Sequence, residues 1–191
     1  AAAGPGRAGI SAGPGGAGAA ADPPAADPPA AGTDRAGYVT LNLQRTRRIG
    51  RTYAPGADIR DAVAALREAQ LWLALTEIWC GDSAQSLPCI AALAALDPRI
   101  DLRILSRDEN LDIMDEYLTG GGRGIPKLIA FGARGEELFT WGPRPRAASE
   151  LVAREKERGA PKEEILLRLH RWYAEDRCRS IEAELAERIR G

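Results

Sequence analysis

The stretch Leu71-Trp-Leu-Ala-Leu-Thr-Glu-Ile-Trp79, followed directly by Cys80-Gly-Asp-Ser83, decides how this sequence is expected to fold. Its first nine residues are short and nearly all apolar, which is typical of a strand buried inside a sheet. Residues 83–96 then carry apolar side chains three and four positions apart, which predicts a helix. Cys80 is therefore expected where a buried strand passes into a helix.

The same alternation of strand and helix patterns continues toward the C-terminus. The predicted elements are a strand at 100–105, a helix at 109–118, a strand at 125–131, a turn at 132–135, a strand at 137–141 and a helix at 146–158. From residue 71 the order is βαβαββα. Two βαβ crossovers followed by a hairpin imply an α/β fold with one central mixed β-sheet flanked by helices on both faces.

Both ends of the chain extend beyond this core. Residues 1–37 are rich in Ala, Gly and Pro and contain no Leu, Val, Phe, Trp or Tyr, so we predict a disordered tail. Residues 38–191 are predicted to form a single domain with its core at about 68–150. Residues 39–43 have the pattern of a short strand, residues from Asp58 or Asp61 to Ala69 that of a helix, and residues 161–190 that of one extra C-terminal helix.

Composition excludes several classes of protein. With 26 basic and 27 acidic residues the net charge is −1, which predicts no nucleic-acid partner. No apolar window approaches the ~18 residues of a membrane span, and no secretory signal is visible. Three cysteines cannot all pair within one chain, which favours a reducing, cytoplasmic location over a disulfide scaffold. One histidine and scattered cysteines offer no metal-ligand pair, and no cofactor motif is present.

Cys80 is the candidate reactive residue because of its position. A thiol at the start of a helix lies near unsatisfied N–H groups and the positive end of the helix dipole, and both favour the thiolate. Gly81 allows a tight turn, while Asp82 or Ser83 is suited to cap the helix. The thiolate is the nucleophile of disulfide chemistry.

Three motifs in this order resemble the thioredoxin family: Trp79-Cys-Gly-Asp-Ser83, then Pro88, then Arg123-Gly-Ile-Pro126. Members of that family carry Trp-Cys-Gly-Pro-Cys, a helix proline at this spacing and a cis-proline before the hairpin. Further segments resemble a little-characterised bacterial branch of the family, and this wider resemblance reaches from about Tyr38 to Ile189. They are Arg107-Asp-Glu-Asn110, Tyr117-Leu-Thr-Gly-Gly121, Trp141-Gly-Pro-Arg-Pro145 and the helix containing Trp172-Tyr173.

The resemblance implies a thioredoxin-like fold in which Cys80 attacks disulfides and the Ile125–Pro126 bond is cis. It also implies that Ile125 offers its backbone to an extended peptide. The residues expected to contact a client are Trp79, Gly81, Asp82, Gly124, Ile125 and Pro126.

The departures from the family pattern bear directly on the chemistry. Ser83 replaces the second cysteine, so no resolving thiol stands three residues after Cys80. Cys89 is about 13 Å further along the helix, whereas the Cα atoms of a disulfide lie within about 7 Å. Asp82 replaces the motif proline and its charge opposes the thiolate. Ala74 stands where thioredoxins hold a buried Asp, and the direction of Glu77 is open.

Two functions remain open from the sequence. The first is thiol–disulfide exchange or mixed-disulfide formation by a single-cysteine (CxxS) site, in which Cys80 reacts and Ser83 donates a hydrogen bond to its thiolate. The expected partners are thiol- or disulfide-bearing protein clients, with glutathione as one candidate. The alternative is a redox-inactive adaptor that binds peptide or protein clients in the groove at Pro126.

The sequence also gives expectations for five other polar or reactive side chains. Cys89 is predicted to be a small buried residue, Cys178 to be incidental, and His170 to lie on a helix surface. Arg144, together with its neighbour Arg146, is expected either to rim the site and favour an acidic client or to belong to an exposed turn.

Overall fold

A computed structural model describes residues 35–191 as seven helices and one four-stranded sheet. The elements are α1 (Arg35–Thr52), α2 (Ala57–Ala64), β1 (Gln70–Thr76), α3 (Gly81–Ala94), β2 (Ile100–Ser106), α4 (Leu111–Glu116), β3 (Lys127–Phe131), β4 (Glu137–Trp141), α5 (Arg146–Glu157), α6 (Lys162–Asp176) and α7 (Arg179–Arg190). The predicted tail, residues 1–37, lies outside the described residues except for its last three, which belong to α1.

The sheet has the strand order β2-β1-β3-β4. β1 pairs in parallel with β2 and antiparallel with β3, and β3 and β4 form an antiparallel hairpin. From β1 to α5 the order βαβαββα is confirmed, as is the mixed sheet. The pairing places the start of β3 beside the end of β1, and Cys80 follows that end.

Alternate side chains of the central strands supply two apolar layers. On one face, Trp72 and Ala74 of β1 join side chains from α2, α3 and α7 in the larger core. On the other face, Leu75 packs with Met114 of α4 and with Ile129 of β3. Trp79 and Cys80 belong to this second, smaller core, so the site is built into the packed interior.

The prediction of a strand at residues 39–43 is wrong, because these residues lie within α1. Asn42 is 3 % exposed, and its side-chain amide donates to the carbonyl of Ile78 at 3.2 Å. Leu41 and Leu43 are largely exposed. A five-residue alternation does not distinguish a strand from a helix. The helical state of these residues depends on the packing of α1 along α3.

The prediction of one helix across residues 161–190 is also wrong. Arg177 and Cys178 adopt left-handed backbone angles, with φ of 53° and 66°, and separate α6 from α7. The break allows α6 to pack on α5 while α7 packs on α2. Helical periodicity continues on both sides of the break, so the pattern of apolar residues alone does not reveal it.

All three cysteines lie in the described part of the chain, and two of them are paired. Cys89 of α3 and Cys178 at the α6–α7 junction form a disulfide, with Cα atoms 6.3 Å apart. Cys89 is fully buried, as predicted, but Cys178 is not incidental. Cys80 is the free cysteine. The disulfide gives no support to the reducing, cytoplasmic location that the odd cysteine count indicated.

Removing this disulfide is expected to destabilise the fold. Replacing both Cys89 and Cys178 by Ala should lower the free energy of unfolding by about 2–5 kcal/mol, since the bond closes a long loop in the unfolded chain. Urea unfolding of the variant and the wild type measures the difference.

Alkylation of the unreduced, denatured protein provides the control for this pairing. Only Cys80 should be labelled in the wild type, and nothing should be labelled in Cys80→Ala. Labelling of all three cysteines without a reductant would show that the disulfide does not form.

Candidate functional site

Cys80 is the N-cap residue of α3 and is held between two backbone groups. Its Sγ accepts a hydrogen bond from the amide of Ser83 at 3.4 Å. The same thiol donates to the carbonyl oxygen of Ile125 at 3.3 Å. The side chain is 6 % exposed. The sulfur therefore lies next to Pro126, as the sheet topology predicts, but it is enclosed by protein.

Ser83 occupies the position of the missing second cysteine and is also buried. The hydroxyl of Thr76, at the end of β1, donates to Ser83 Oγ at 2.6 Å. Ser83 in turn hydrogen-bonds to the Cys80 thiol through its side chain and its backbone amide, and both bonds favour the thiolate. These bonds connect the sulfur to the central strand.

The environment of Cys80 nevertheless favours the neutral thiol. Burial raises the pKa of Cys80 to about 11, and the neighbouring Asp82 carboxylate adds to the rise. The hydrogen bonds from the side chain and amide of Ser83 and from the backbone of Asp82 act in the opposite direction and are weaker. The helix N-terminus alone predicts a thiolate, but desolvation, which the sequence does not show, decides against it.

Asp82 lies in a buried polar network rather than on a surface. Its Oδ2 accepts from Arg144 Nε at 2.9 Å and Nη2 at 2.7 Å, and its Oδ1 accepts from the Tyr173 hydroxyl at 2.9 Å. All three residues are less than 10 % exposed. The guanidinium of Arg144 is therefore neutralised internally, so the expectation that it rims the site for an acidic client, or lies in an exposed turn, is wrong.

His170 is half-buried against the first turn of α3, so its prediction as a surface residue is wrong. A Cβ at Gly81 would lie 3.0 Å from His170 Cε1, so the glycine permits this close approach of α6. His170 Nδ1 lies 3.4 Å from Gln85 Nε2. Burial and, secondarily, the charge of Arg45 lower the pKa of His170 to about 4, so the ring is neutral at pH 7.

The residues expected to contact a client are also enclosed. Trp79 is 2 % exposed, with the Arg107 guanidinium 5.1 Å from its ring centroid, and Gly124, Ile125 and Pro126 are all buried. The Ile125–Pro126 peptide bond is cis.

The segment after β4, residues 142–145, covers these residues. A Cβ at Gly124 would lie 3.1 Å from Pro143 Cγ, and one at Gly142 would collide with the carbonyl oxygen of Pro126. Residues 142 and 143 thus pack directly against the loop that carries Pro126.

Two residues of this site, His170 and Tyr173, were missed by sequence reasoning. They are on α6, about ninety residues after Cys80, and only the folding of α6 onto α3 brings them to it. The one available signal was the resemblance of the Trp172-Tyr173 helix to the family branch. Glu77 accepts hydrogen bonds from Ser106 Oγ and the amide of Asp108, which settles its direction.

Within residues 35–191 no group of three or more His, Cys, Asp or Glu side chains is placed to hold a metal ion. None of the helices described there is long and apolar enough to cross a membrane.

The Asp82→Asn variant should separate two roles of this carboxylate. The pKa of Cys80 should fall below that of the wild type, because the charge opposing the thiolate is removed. The free energy of unfolding should also fall, by about 3–5 kcal/mol, because Arg144 loses its buried counter-ion. The pH dependence of alkylation and urea unfolding measure the two effects.

Asp101→Asn is the matched control, since Asp101 pairs with Arg103 at an exposed position. It should change stability by less than about 1 kcal/mol. An unchanged or higher pKa of Cys80 in Asp82→Asn would contradict the role assigned to the carboxylate.

His170 should make the fold sensitive to mild acid. Its pKa is about 4 in the folded protein against an ordinary value of 6.5, so the unfolded chain takes up a proton first as the pH falls. The stability present above pH 6.5 is therefore lost between about pH 6.5 and 4, by at most about 3 kcal/mol. The His170→Gln variant should show a flatter profile in urea unfolding over this range. An identical profile would show that His170 is not buried as described.

Comparison with known proteins agrees with this geometry. A protein-family model described as thioredoxin matches residues 34–158. No curated protein matches the chain.

Two solved structures are similar in fold. A crystal structure of a protein of unknown function from Pseudomonas aeruginosa superposes with a TM-score of 0.61 at 18% identity, covering 82% of this chain and 90% of that one. A crystal structure of an HIV epitope scaffold gives a TM-score of 0.58 at 17% identity, covering 82% of this chain and 91% of that one. The strand–helix junction, the mixed sheet and the family match over most of the chain lead to one conclusion: this chain belongs to the thioredoxin family and has a thioredoxin-like fold.

Proposed function

We propose that this protein forms mixed disulfides through Cys80 and acts in single-cysteine thiol–disulfide exchange. The observation that carries the proposal is the position of Sγ, at the N-cap of α3 and 3.3 Å from the carbonyl of the residue before Pro126. Ser83 supports the reaction, because its two hydrogen bonds act in favour of the thiolate that has to form.

The exchange needs one partner for each of two steps. The Cys80 thiolate attacks a partner disulfide, forms a new S–S bond and releases one partner sulfur as a thiolate, which takes up a proton. No second thiol of this chain is available to reverse the step, since Cys89 and Cys178 are already paired. A thiol from outside, of which glutathione is one example, then releases the partner by attacking the mixed disulfide.

The raised pKa makes this exchange slow in the closed structure. Because its pKa lies well above 7, only a small fraction of Cys80 is a thiolate at pH 7. Each thiolate formed is a stronger nucleophile than one of lower pKa, which offsets part of the loss. These properties favour a protein that forms a long-lived mixed disulfide, rather than an enzyme that turns over rapidly.

In the proposed function, a protein client binds along Trp79, Gly124, Ile125 and Pro126. Because Ile125 is fully buried, the structure has to open locally before an extended peptide reaches its backbone. Gly81 and Asp82 then contribute indirectly, since they hold α6 and Arg144 next to the first turn of α3.

A redox-inactive adaptor is the second candidate, and the burial of Cys80 with its raised pKa favours it. The rate of mixed-disulfide formation in native protein, compared with the rate of global unfolding, separates the two. If Cys80 reacts faster than the chain unfolds, and faster with rising pH toward about 11, the exchange proposal stands. If Cys80 reacts only through unfolding, the adaptor stands.

The lack of a resolving thiol can be tested by supplying one. Wild-type protein should show negligible insulin reduction with dithiothreitol as electron source, and Ser83→Cys should gain activity, because a thiol then stands three residues after Cys80. The turbidity of precipitating insulin chains measures both. The matched control is Ser83→Cys combined with Cys80→Ala, which should again be inactive. Rapid turnover by the wild type would contradict the single-cysteine mechanism.

A further inference from the structure

Cys80 also lines a cavity whose wall includes none of residues 142–145. The cavity lies between α1, α3 and the ends of β1 and β2, and its volume is about 390 Å³. Cys80 and Ser83 are part of its wall. This volume is in the range of small-molecule sites.

The rim of this cavity is apolar and open to solvent. Leu43, Ile78 and Ile104 line it and are 46 %, 73 % and 53 % exposed. Val39 and Leu87 continue the apolar lining inward. Three large exposed aliphatic side chains around one opening are unusual on a monomer surface and are typical of a site that receives an apolar group.

The charge of the lining selects against anions. Among the lining residues in the described part of the chain, Glu77 is the one that carries a charge, and no cation accompanies it there. A cation that contacts this lining, Arg45, donates to Asn42 Oδ1 from outside the cavity wall. An anionic ligand such as glutathione disulfide would therefore leave water for a mainly apolar lining and gain no cation from it. A neutral, apolar molecule meets neither obstacle.

We propose that this cavity is a substrate site for small, neutral, apolar disulfides, which reach Cys80 between α1 and α3 without any movement of residues 142–145. The inference rests on the exchange function proposed above and adds its substrate class. The bonds balance as in any exchange: Cys80 Sγ forms a disulfide with one half of the substrate, the substrate S–S bond breaks, and the other half leaves as a thiol that takes up the Cys80 proton.

The test uses two disulfides that match in chain length and differ in charge. Native protein is incubated at pH 8 with dipropyl disulfide or with 3,3′-dithiodipropionate, and the adduct on Cys80 is followed by intact mass spectrometry. Each rate is divided by the rate of the same reagent with urea-unfolded protein, which removes intrinsic differences between the reagents. The normalised rate should be about tenfold higher for dipropyl disulfide. Cys80→Ala should form no adduct.

A pair of rim variants assigns the preference to the cavity. Ile104→Ser should reduce the preference for dipropyl disulfide severalfold, while Leu167→Ser, at a 72 % exposed position on α6, should leave it unchanged. Both positions are exposed, so both variants should fold. An unchanged preference in Ile104→Ser would overturn the site.

The outcomes distinguish a failure of the proposed apolar substrate class from a failure of the proposed exchange by Cys80. Equal normalised rates for the two reagents, or a faster reaction with dithiodipropionate, overturn the apolar substrate class while leaving exchange by Cys80 in place. Absence of any adduct in native protein with either reagent overturns both.

Discussion

The buried carboxylate of Asp82 is the constraint on which the site depends, because three distant parts of the chain meet at it. It belongs to the first turn of α3, it pairs with Arg144 from the segment after β4, and it accepts the hydroxyl of Tyr173 from α6. A charge enclosed in protein is tolerated only with a counter-ion and satisfied hydrogen bonds. The three segments are therefore held in one arrangement, and the Cys89–Cys178 disulfide fastens the end of α6 to the same helix.

Cys80 is a protonated thiol in this arrangement. The pairing of Asp82 with Arg144 keeps residues 142–145 packed against Gly124 and Pro126. Burial of the sulfur is the largest cause of its raised pKa. The negative charge of Asp82 adds to it. A thioredoxin-like site is thus present in its backbone geometry, while its surroundings keep the sulfur in its less reactive form.

The surroundings of Cys80 differ on its two sides. Toward Pro126, residues 142–145 pack against Gly124 and Pro126 and carry Arg144, the partner of Asp82. Toward α1, Cys80 borders a mainly apolar cavity. Val39, Leu43 and other residues of α1 line this cavity, so the helix before β1 shapes the surroundings of Cys80 on that side.

The sequence by itself determined the order of elements from β1 to α5, the mixed sheet and the position of Cys80 beside Pro126, because strand and helix periods, short connections and the family motifs are local signals. It also showed that Ser83 stands three residues after Cys80, where the family pattern has a second cysteine. Only the tertiary structure decided the helical state of residues 39–43, the break at Arg177 and the disulfide between Cys89 and Cys178. Packing between segments far apart in the chain also brings His170 and Tyr173 to the site. The same packing buries Cys80 and raises the pKa of its thiol. Burial and counter-ion placement are properties of the folded interior, so no local pattern of residues reports them.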